Sequence, residues 1–266
     1  MPSKARKDPG FKPLRRNLRS SEDVVFQRSN LQSKIENLRY MDPDRIAELL
    51  EPFLASSTLS SELRQSAVLT ATQLQNISTY IDILLRWNTR INLTAIRDQE
   101  EIVTRHFGES LFVARHLFPP CSPVSAVVKG FEVADIGSGP GFPGIPIKLW
   151  APEISLTLIE SNQKKATFLK EVARSLTLTN VNIQATRAET LISASFDVVT
   201  LRAVERFQSI LPVAARLVAP GGRLALLIGR SQLPQAQSAL PTLNWLQPIP
   251  IPTSQSRVLA VACKPN

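Results

Sequence analysis

The sequence predicts an α/β fold, a mostly parallel sheet flanked by helices and preceded by a helical N-terminal extension. Three observations predict it. From Phe131 onward, short β-rich runs alternate with helical stretches, the pattern of βαβ units. One strand candidate ends in a glycine-rich turn that opens a helix. Before Phe131, two long segments carry apolar residues at helical rather than strand spacing. The 266 residues suit one large α/β domain, or one domain with a small companion.

Residues 1–40 hold ten Lys/Arg and four Asp/Glu, which is +6 of the net +9, so residues 41–266 carry 21 minus 18, only +3. This basic tail mixes Lys4, Arg6, Lys7, Lys12, Arg15, Arg16 and Arg19 with Pro, Ser and Asn, without apolar periodicity, and is expected to be disordered. It reads either as an arm that gathers nucleic acid or as a dispensable extension. Met41 favours the extension. Asp42 supplies an N-cap and Pro43 an N1 proline, and Ile46, Leu49, Leu50 and Phe53 follow at helical spacing. A chain starting at Met41 would begin on a capped helix, which the mass of the native protein tests.

After a Ser-rich break at Ser56–Ser61, an amphipathic helix is expected within 69–92, with Leu74, Ile77, Ile81, Leu84, Leu85 and Ile91 on one face. A second, Glu100–Phe118, stops before Pro119-Pro120. These complete a helical region over 41–120. In the domain 121–266 the strand candidates are Phe131–Asp135, Ser155–Ile159, Asn182–Ala185, Asp197–Leu201 and Arg223–Ile228. Helices are expected at Ile145–Trp150, Gln163–Leu176 and Glu205–Val218. Leu243–Pro250 and Ser256–Cys263 read as closing strands, the first placed near an edge or bend by its prolines.

Composition narrows the classes. At 43% apolar and 20% charged residues the chain is globular rather than disordered or fibrous. No apolar run approaches the roughly 20 residues of a membrane span, and no apolar segment follows the basic N-terminus as a secretion signal requires. Cys121 and Cys263 lack metal or disulfide spacing, so a reducing, cytoplasmic setting without a metal is expected.

The informative stretch runs from Val133 to Gly144, where a strand ends, glycines turn the chain, and a helix opens. Glycines permit positive φ and close approach of a ligand, while a helix N-terminus offers unpaired N–H groups, together a nucleotide-type site. A dinucleotide fingerprint would need glycine where Phe142 stands, which disfavours pyrophosphate. Asp135 at the strand end suits the positively charged methionine part of S-adenosylmethionine. The pattern D-x-G-x-G-x-G, with Gly137, Gly139 and Gly141, resembles the first motif of class I S-adenosylmethionine-dependent methyltransferases. Glu160 closes the next strand 19 residues after Gly141, where a carboxylate can accept from both ribose hydroxyls.

What is missing narrows the acceptor. Exocyclic-amine methylation would want an Asn/Asp-Pro-Pro-Tyr type motif after the fourth strand, where Thr200-Leu201-Arg202-Ala203 stands. Cytosine C5 methylation would want a cysteine at a strand end facing the turn. A ring nitrogen such as guanine N7 brings its own lone pair and needs alignment more than a general base. Arg202 can contact the O6 edge of guanine, hold a phosphate, or serve as a structural cation.

Trp87 to Thr94, the Arg105-His106 pair, Asp135 to Gly144, Arg187-Ala188-Glu189 and Leu201-Arg202-Ala203 together resemble the RsmG (GidB) family. The resemblance spans about Leu69 to Ile228 and leaves residues 1–60 outside. It implies a Rossmann-like fold of seven mostly parallel strands that methylates guanine N7 in the 530 loop of 16S ribosomal RNA. It further implies a donor site of Gly137, Phe142, Ala188, Glu189 and Arg202, with Glu160 at the ribose, and 16S RNA or the small ribosomal subunit as partner; a monomer is expected. The family usually continues Arg-His with an apolar residue, Leu, Asp and Ser, whereas this chain reads Phe107-Gly108-Glu109-Ser110. Glu109 keeps the charge with longer reach, and Gly108 weakens a helix by up to about 1 kcal/mol relative to alanine.

His106 falls on the apolar side of its helix and reads as a hydrogen-bonded core histidine ahead of a substrate contact, and Trp87 as a core anchor beside Leu84 and Ile91 ahead of a base-stacking platform. Lys164 and Lys165 either touch phosphates or are solvated. The competing functions are a methyltransferase of the same fold acting on a small molecule or protein, and a donor-binding RNA module without turnover.

Overall fold

The computed structural model describes residues 40–55, 69–119, 130–191, 195–203 and 206–266. The expectations for the basic tail (residues 1–39), the Ser-rich break and Cys121 lie outside these residues. Helix α1 (Pro43–Leu54) begins as its sequence dictates, with Asp42 accepting a hydrogen bond from the Asp44 amide. It buries Ile46, Leu50 and Phe53, each contributing about 1.5–3 kcal/mol. Helix α2 (Ala71–Asn88) is closed at its start by a capping box between Thr70 and Gln73, which satisfies two otherwise orphaned amides. It is shorter than the segment 69–92, because the Asn88 side chain captures the amides of Leu93 and Thr94 and turns the chain aside.

The helix expected over Glu100–Phe118 is interrupted. It runs as α3 (Gln99–Ile102), a π-helical turn (Val103–Gly108) and α4 (Glu109–Leu117). Gly108 explains the close packing there. A Cβ at that position would stand 2.6 Å from two ring carbons of Phe53, so the glycine lets α1 press onto the π turn. Its helix-weakening cost is offset by burial of the Phe53 ring.

The sheet order is β3-β2-β1-β4-β5-β8-β6, with β7 also paired to β8. Its strands are β1 (Glu132–Ile136), β2 (Ser155–Ile159), β3 (Val181–Gln184), β4 (Phe196–Arg202), β5 (Val218–Gly229), β6 (Asn244–Trp245), β7 (Ile249–Pro250) and β8 (Arg257–Cys263). The first five pair in parallel, and β8 runs antiparallel to β5. This is a doubly wound, Rossmann-like arrangement with antiparallel closing strands. The closing segment Leu243–Pro250 is not one strand but the short pair β6 and β7, eight strands in all among the described residues, because Pro248 falls between them and cannot donate to a ladder.

Helices α5 (Gly144–Trp150), α6 (Gln163–Ser175) and α7 (Phe207–Leu217) connect the strands close to where they were expected. Helix α8 (Leu233–Ala239) was not expected. Only Ala236 of it is buried, so its sequence carries no apolar face to read. One apolar cluster joins Ile46, Phe53, Tyr80 and Phe107 to Phe168 and Leu259, and a second fills the sheet's other face under α7. No helix among the described residues is long and apolar enough to cross a membrane.

Candidate functional site

Strand order reverses at β1, with β2 on one side and β4 on the other, which opens a crevice beyond the carboxyl ends of the strands. A cavity of about 720 Å³ occupies it. Gly137, Gly139, Phe142, Glu160, Ala188, Glu189 and Arg202 all line this cavity, so the structure brings together seven of the nine residues picked from sequence.

The glycine turn is tightly folded. Gly137, Gly139 and Gly141 take φ of 66°, 54° and 91°, in the left-handed region that penalises side chains. Its amides do not point free toward a ligand, as expected from sequence. Those of Gly137 and Ser138 donate to Ile159 O, that of Gly139 to Glu160 Oε2 at 2.9 Å, and those of Gly141 and Phe142 to Ser138 O. The turn therefore offers a closely approachable surface rather than a nest of donors for phosphate.

Asp135 and Gly141 lie beneath the turn instead of on the cavity, which corrects their expected contact with the ligand. Asp135 is 1% exposed. Its Oδ1 accepts from Thr200 Oγ1 at 2.9 Å and its Oδ2 from the Gly144 amide at 3.1 Å, so it ties β1 to β4 and to the start of α5. Burial raises its pKa to about 7 against the lowering effect of these hydrogen bonds and of Arg202. A Cβ at Gly141 would stand 2.4 Å from the Tyr80 hydroxyl, and that hydroxyl donates to Pro140 O. The turn rests on α2.

Glu160 braces the turn from the side, accepting from Gly139 and, through Oε1, from the Asn162 amide at 2.7 Å. Each of its oxygens keeps a second lone pair. Ala188 and Glu189 form a short 3-10 turn after β3, the first buried and the second exposed. Of the lysine pair, Lys165 lines the cavity.

The opposite wall is the π-helical turn. His106 stacks on Phe142, ring centroids 4.7 Å apart, and Phe142 in turn stacks on Tyr80 at 5.3 Å. His106 Nε2 lies 2.8 Å from Thr94 Oγ1 and Nδ1 lies 3.3 Å from an Arg202 nitrogen. Burial, then Arg202, Arg105 and Arg257, lower its pKa to about 3, so it is neutral. The core reading of His106 is thus half the story, since it is well packed yet lines the cavity.

Arg202 turns inward. Its guanidinium donates to the carbonyls of Arg105 and His106 and to Ser110 Oγ, and pairs with Glu109 at 3.3 Å with 8% of its side chain exposed. Guanidinium donors spent in this way leave little for guanine or phosphate. This arrangement matches the structural-cation alternative, while Arg202 still lines the cavity. Burial, then the neighbouring Arg105, pull its pKa down to about 10.

Glu109, 1% exposed, is the hub of this wall, pairing with Arg105, Arg202 and Arg257. Sequence reading missed Arg257, which β8 delivers from 148 residues away, and gave Thr94 no role of its own. Thr94 lay inside the Trp87–Thr94 resemblance, whereas nothing local marked Arg257. Six Lys/Arg side chains line the cavity together with Glu160 and Glu189, and three of the six, Arg105, Arg202 and Arg257, are paired with Glu109. Among the described residues no group of three or more metal-ligating side chains gathers.

A family model described as rRNA small subunit methyltransferase G matches residues 73–248. The chain belongs to this family. It is 38% identical over 199 residues to the ribosomal RNA small subunit methyltransferase G of Halorhodospira halophila, covering 74% of this chain and 90% of the relative. It is 40% identical over 168 residues to the protein of that name from Xylella fastidiosa, covering 63% and 73% respectively. The model of the rRNA small subunit methyltransferase G family takes in the glycine turn, the π-helical turn and β4. It excludes α1, with Phe53, and β8, with Arg257.

Proposed function

We propose that the chain transfers a methyl group from S-adenosylmethionine to N7 of a guanine in 16S ribosomal RNA, as a cytoplasmic monomer acting on the RNA or the small subunit. The observation that carries the reading is the glycine turn, whose amides are satisfied internally while Glu160 and Glu189 border its open side. Such a set of acceptors suits a ligand with ribose hydroxyls and a positive charge, and is poorly suited to a phosphorylated nucleotide. When bound, the donor supplies an electrophilic methyl group on a positively charged sulfur.

The residues divide the work. Glu160 accepts from the ribose and Ala188 and Glu189 meet the adenine edge, while Phe142, held between His106 and Tyr80, borders the donor with its ring edge. Guanine N7 attacks with its own lone pair, so no residue removes a proton, and alignment carries the rate. The helical region 41–120 supplies Thr94 and His106, which face the incoming base. The arginines at the cavity mouth attract RNA phosphates in a salt-dependent way.

The test is transfer of labelled methyl to small subunits or 16S RNA from cells lacking the gene, followed by nucleoside mass spectrometry. One 7-methylguanosine should appear with the wild type and none with Gly137→Arg, which places a long side chain in the donor cavity. Label in protein or small molecules alone would overturn the reading.

A further inference from the structure

The Thr94 hydroxyl has a fixed hydrogen-bond polarity. Asn88 holds the Thr94 backbone from both sides, accepting from the Leu93 and Thr94 amides and donating to Thr94 O. Thr94 Oγ1 accepts from the Ile96 amide at 3.1 Å. The other contact, to His106 Nε2 at 2.8 Å, has its direction set from the far side of the ring. An arginine nitrogen only donates, so His106 Nδ1, 3.3 Å from Arg202, accepts. In a neutral imidazole the proton then sits on Nε2, which donates to Thr94. Both lone pairs of the hydroxyl are taken, and its own hydrogen is left for a group in the cavity that Thr94 lines.

We infer that Thr94 donates this hydrogen to O6 of the target guanine and selects guanine over adenine. The inference rests on the proposed methyl transfer and deepens it. Guanine presents O6 and N7 as adjacent acceptors, whereas adenine presents an amino donor beside N7. A hydroxyl that cannot accept would set hydrogen against hydrogen on adenine. Position agrees. Thr94 and His106 stand on the π-turn wall, away from Glu160 and the Ala188-Glu189 turn, which follow β2 and β3 on the other side of β1. Arg202 is thereby a positioning residue, setting the histidine tautomer that sets the hydroxyl.

The test uses the full chain with unmethylated small subunits. Thr94→Val keeps the shape and removes the hydroxyl. Its kcat/KM on subunits should fall roughly tenfold, its affinity for S-adenosylhomocysteine by calorimetry should be unchanged, and Thr94→Ser should recover most of the rate. On subunits reassembled with 2-aminopurine at the target, which lacks O6, the wild type should fall to the rate of Thr94→Val on guanine. The valine variant should lose nothing further. Weakened S-adenosylhomocysteine binding, with the guanine to 2-aminopurine ratio intact, would assign the hydroxyl to the donor's carboxylate and overturn the inference. A wild type that binds S-adenosylhomocysteine but methylates no ribosomal guanine would overturn the proposed reaction, and the O6 assignment with it.

Discussion

The two walls of the cavity are built on different principles. The glycine-turn wall is local. Asp135, the glycines and Glu160 lie within 26 consecutive residues, and main-chain hydrogen bonds at the ends of two neighbouring strands hold them. The π-turn wall is assembled from afar, with Glu109 and His106 of the helical region held against Arg202 of β4 and Arg257 of β8. The first wall depends on backbone conformation, the second on compensation of buried charge. Substitutions should therefore fail differently on the two sides.

The largest effect is expected at Glu109. Glu109→Gln keeps the shape of the side chain and removes the carboxylate shared by three arginines, of which only Arg105 keeps a second acidic partner, Glu101 at 3.8 Å. Removing one partner of a buried ionic cluster costs about 3–5 kcal/mol. The midpoint of urea unfolding should fall accordingly, and the fraction that stays folded should still bind S-adenosylhomocysteine, because the opposite wall is untouched. A loss below about 1 kcal/mol would mean that solvent already screens the cluster.

Gly141→Ala should do less to stability and more to the donor. The added Cβ overlaps the Tyr80 hydroxyl and Ile145 Cδ1 and demands φ of 91° from a residue with a side chain. Overpacking of this kind costs about 1–3 kcal/mol. Displacement of the turn should weaken S-adenosylhomocysteine binding in calorimetry, which Glu109→Gln should spare.

How well the sequence could be read followed the same division. Turn, strand ends and Glu160 were legible because the constraint on each residue comes from neighbours in the chain or in the adjacent strand. Even there, Asp135 and Gly141 were assigned to the ligand although they support the turn, since a motif shows which residues the turn needs and not which way each faces. The Glu109 hub was legible only as an odd substitution at one position. Its partners Arg202 and Arg257 come from strands 93 and 148 residues on, and no periodicity connects them. The π turn was hidden for a similar reason, because Gly108 reads as a defect until Phe53 is seen against it. Helix α8 was hidden by having almost nothing to bury.

Acid and base titration separate the walls with opposite signs. Asp135 has a folded pKa of about 7, raised from 3.8, so the folded state holds its proton more tightly and stability is lost as pH rises from about 4 to about 7. His106 has a folded pKa of about 3, lowered from 6.5, so stability is gained as pH rises across about 3 to 6.5. In the wild type the two slopes oppose each other. Relative to it, Asp135→Asn should gain stability as pH rises through 4 to 7, and His106→Phe should lose it between 3 and 6.5. Parallel curves of unfolding midpoint against pH for the three proteins would remove the assigned protonation states.

The smallest effect probes what the two walls share. Tyr80 of α2 lies under the turn, donating to Pro140 O and stacking on Phe142, which also carries His106. Tyr80→Phe alone removes one buried hydrogen bond and should cost about 1 kcal/mol. Combined with Gly141→Ala it removes the closest atom that the new methyl group would meet, while Ile145 and the positive φ remain. The double variant should therefore be more stable than the sum of the single losses, by an interaction energy of about 0.5–1 kcal/mol from unfolding midpoints. Strict additivity would mean that the turn is held from above by Glu160 alone and that α2 merely lies beneath it. The positive coupling expected would make α2 the common support, bearing the turn on Tyr80 and, two helical turns later, the Thr94 loop on Asn88.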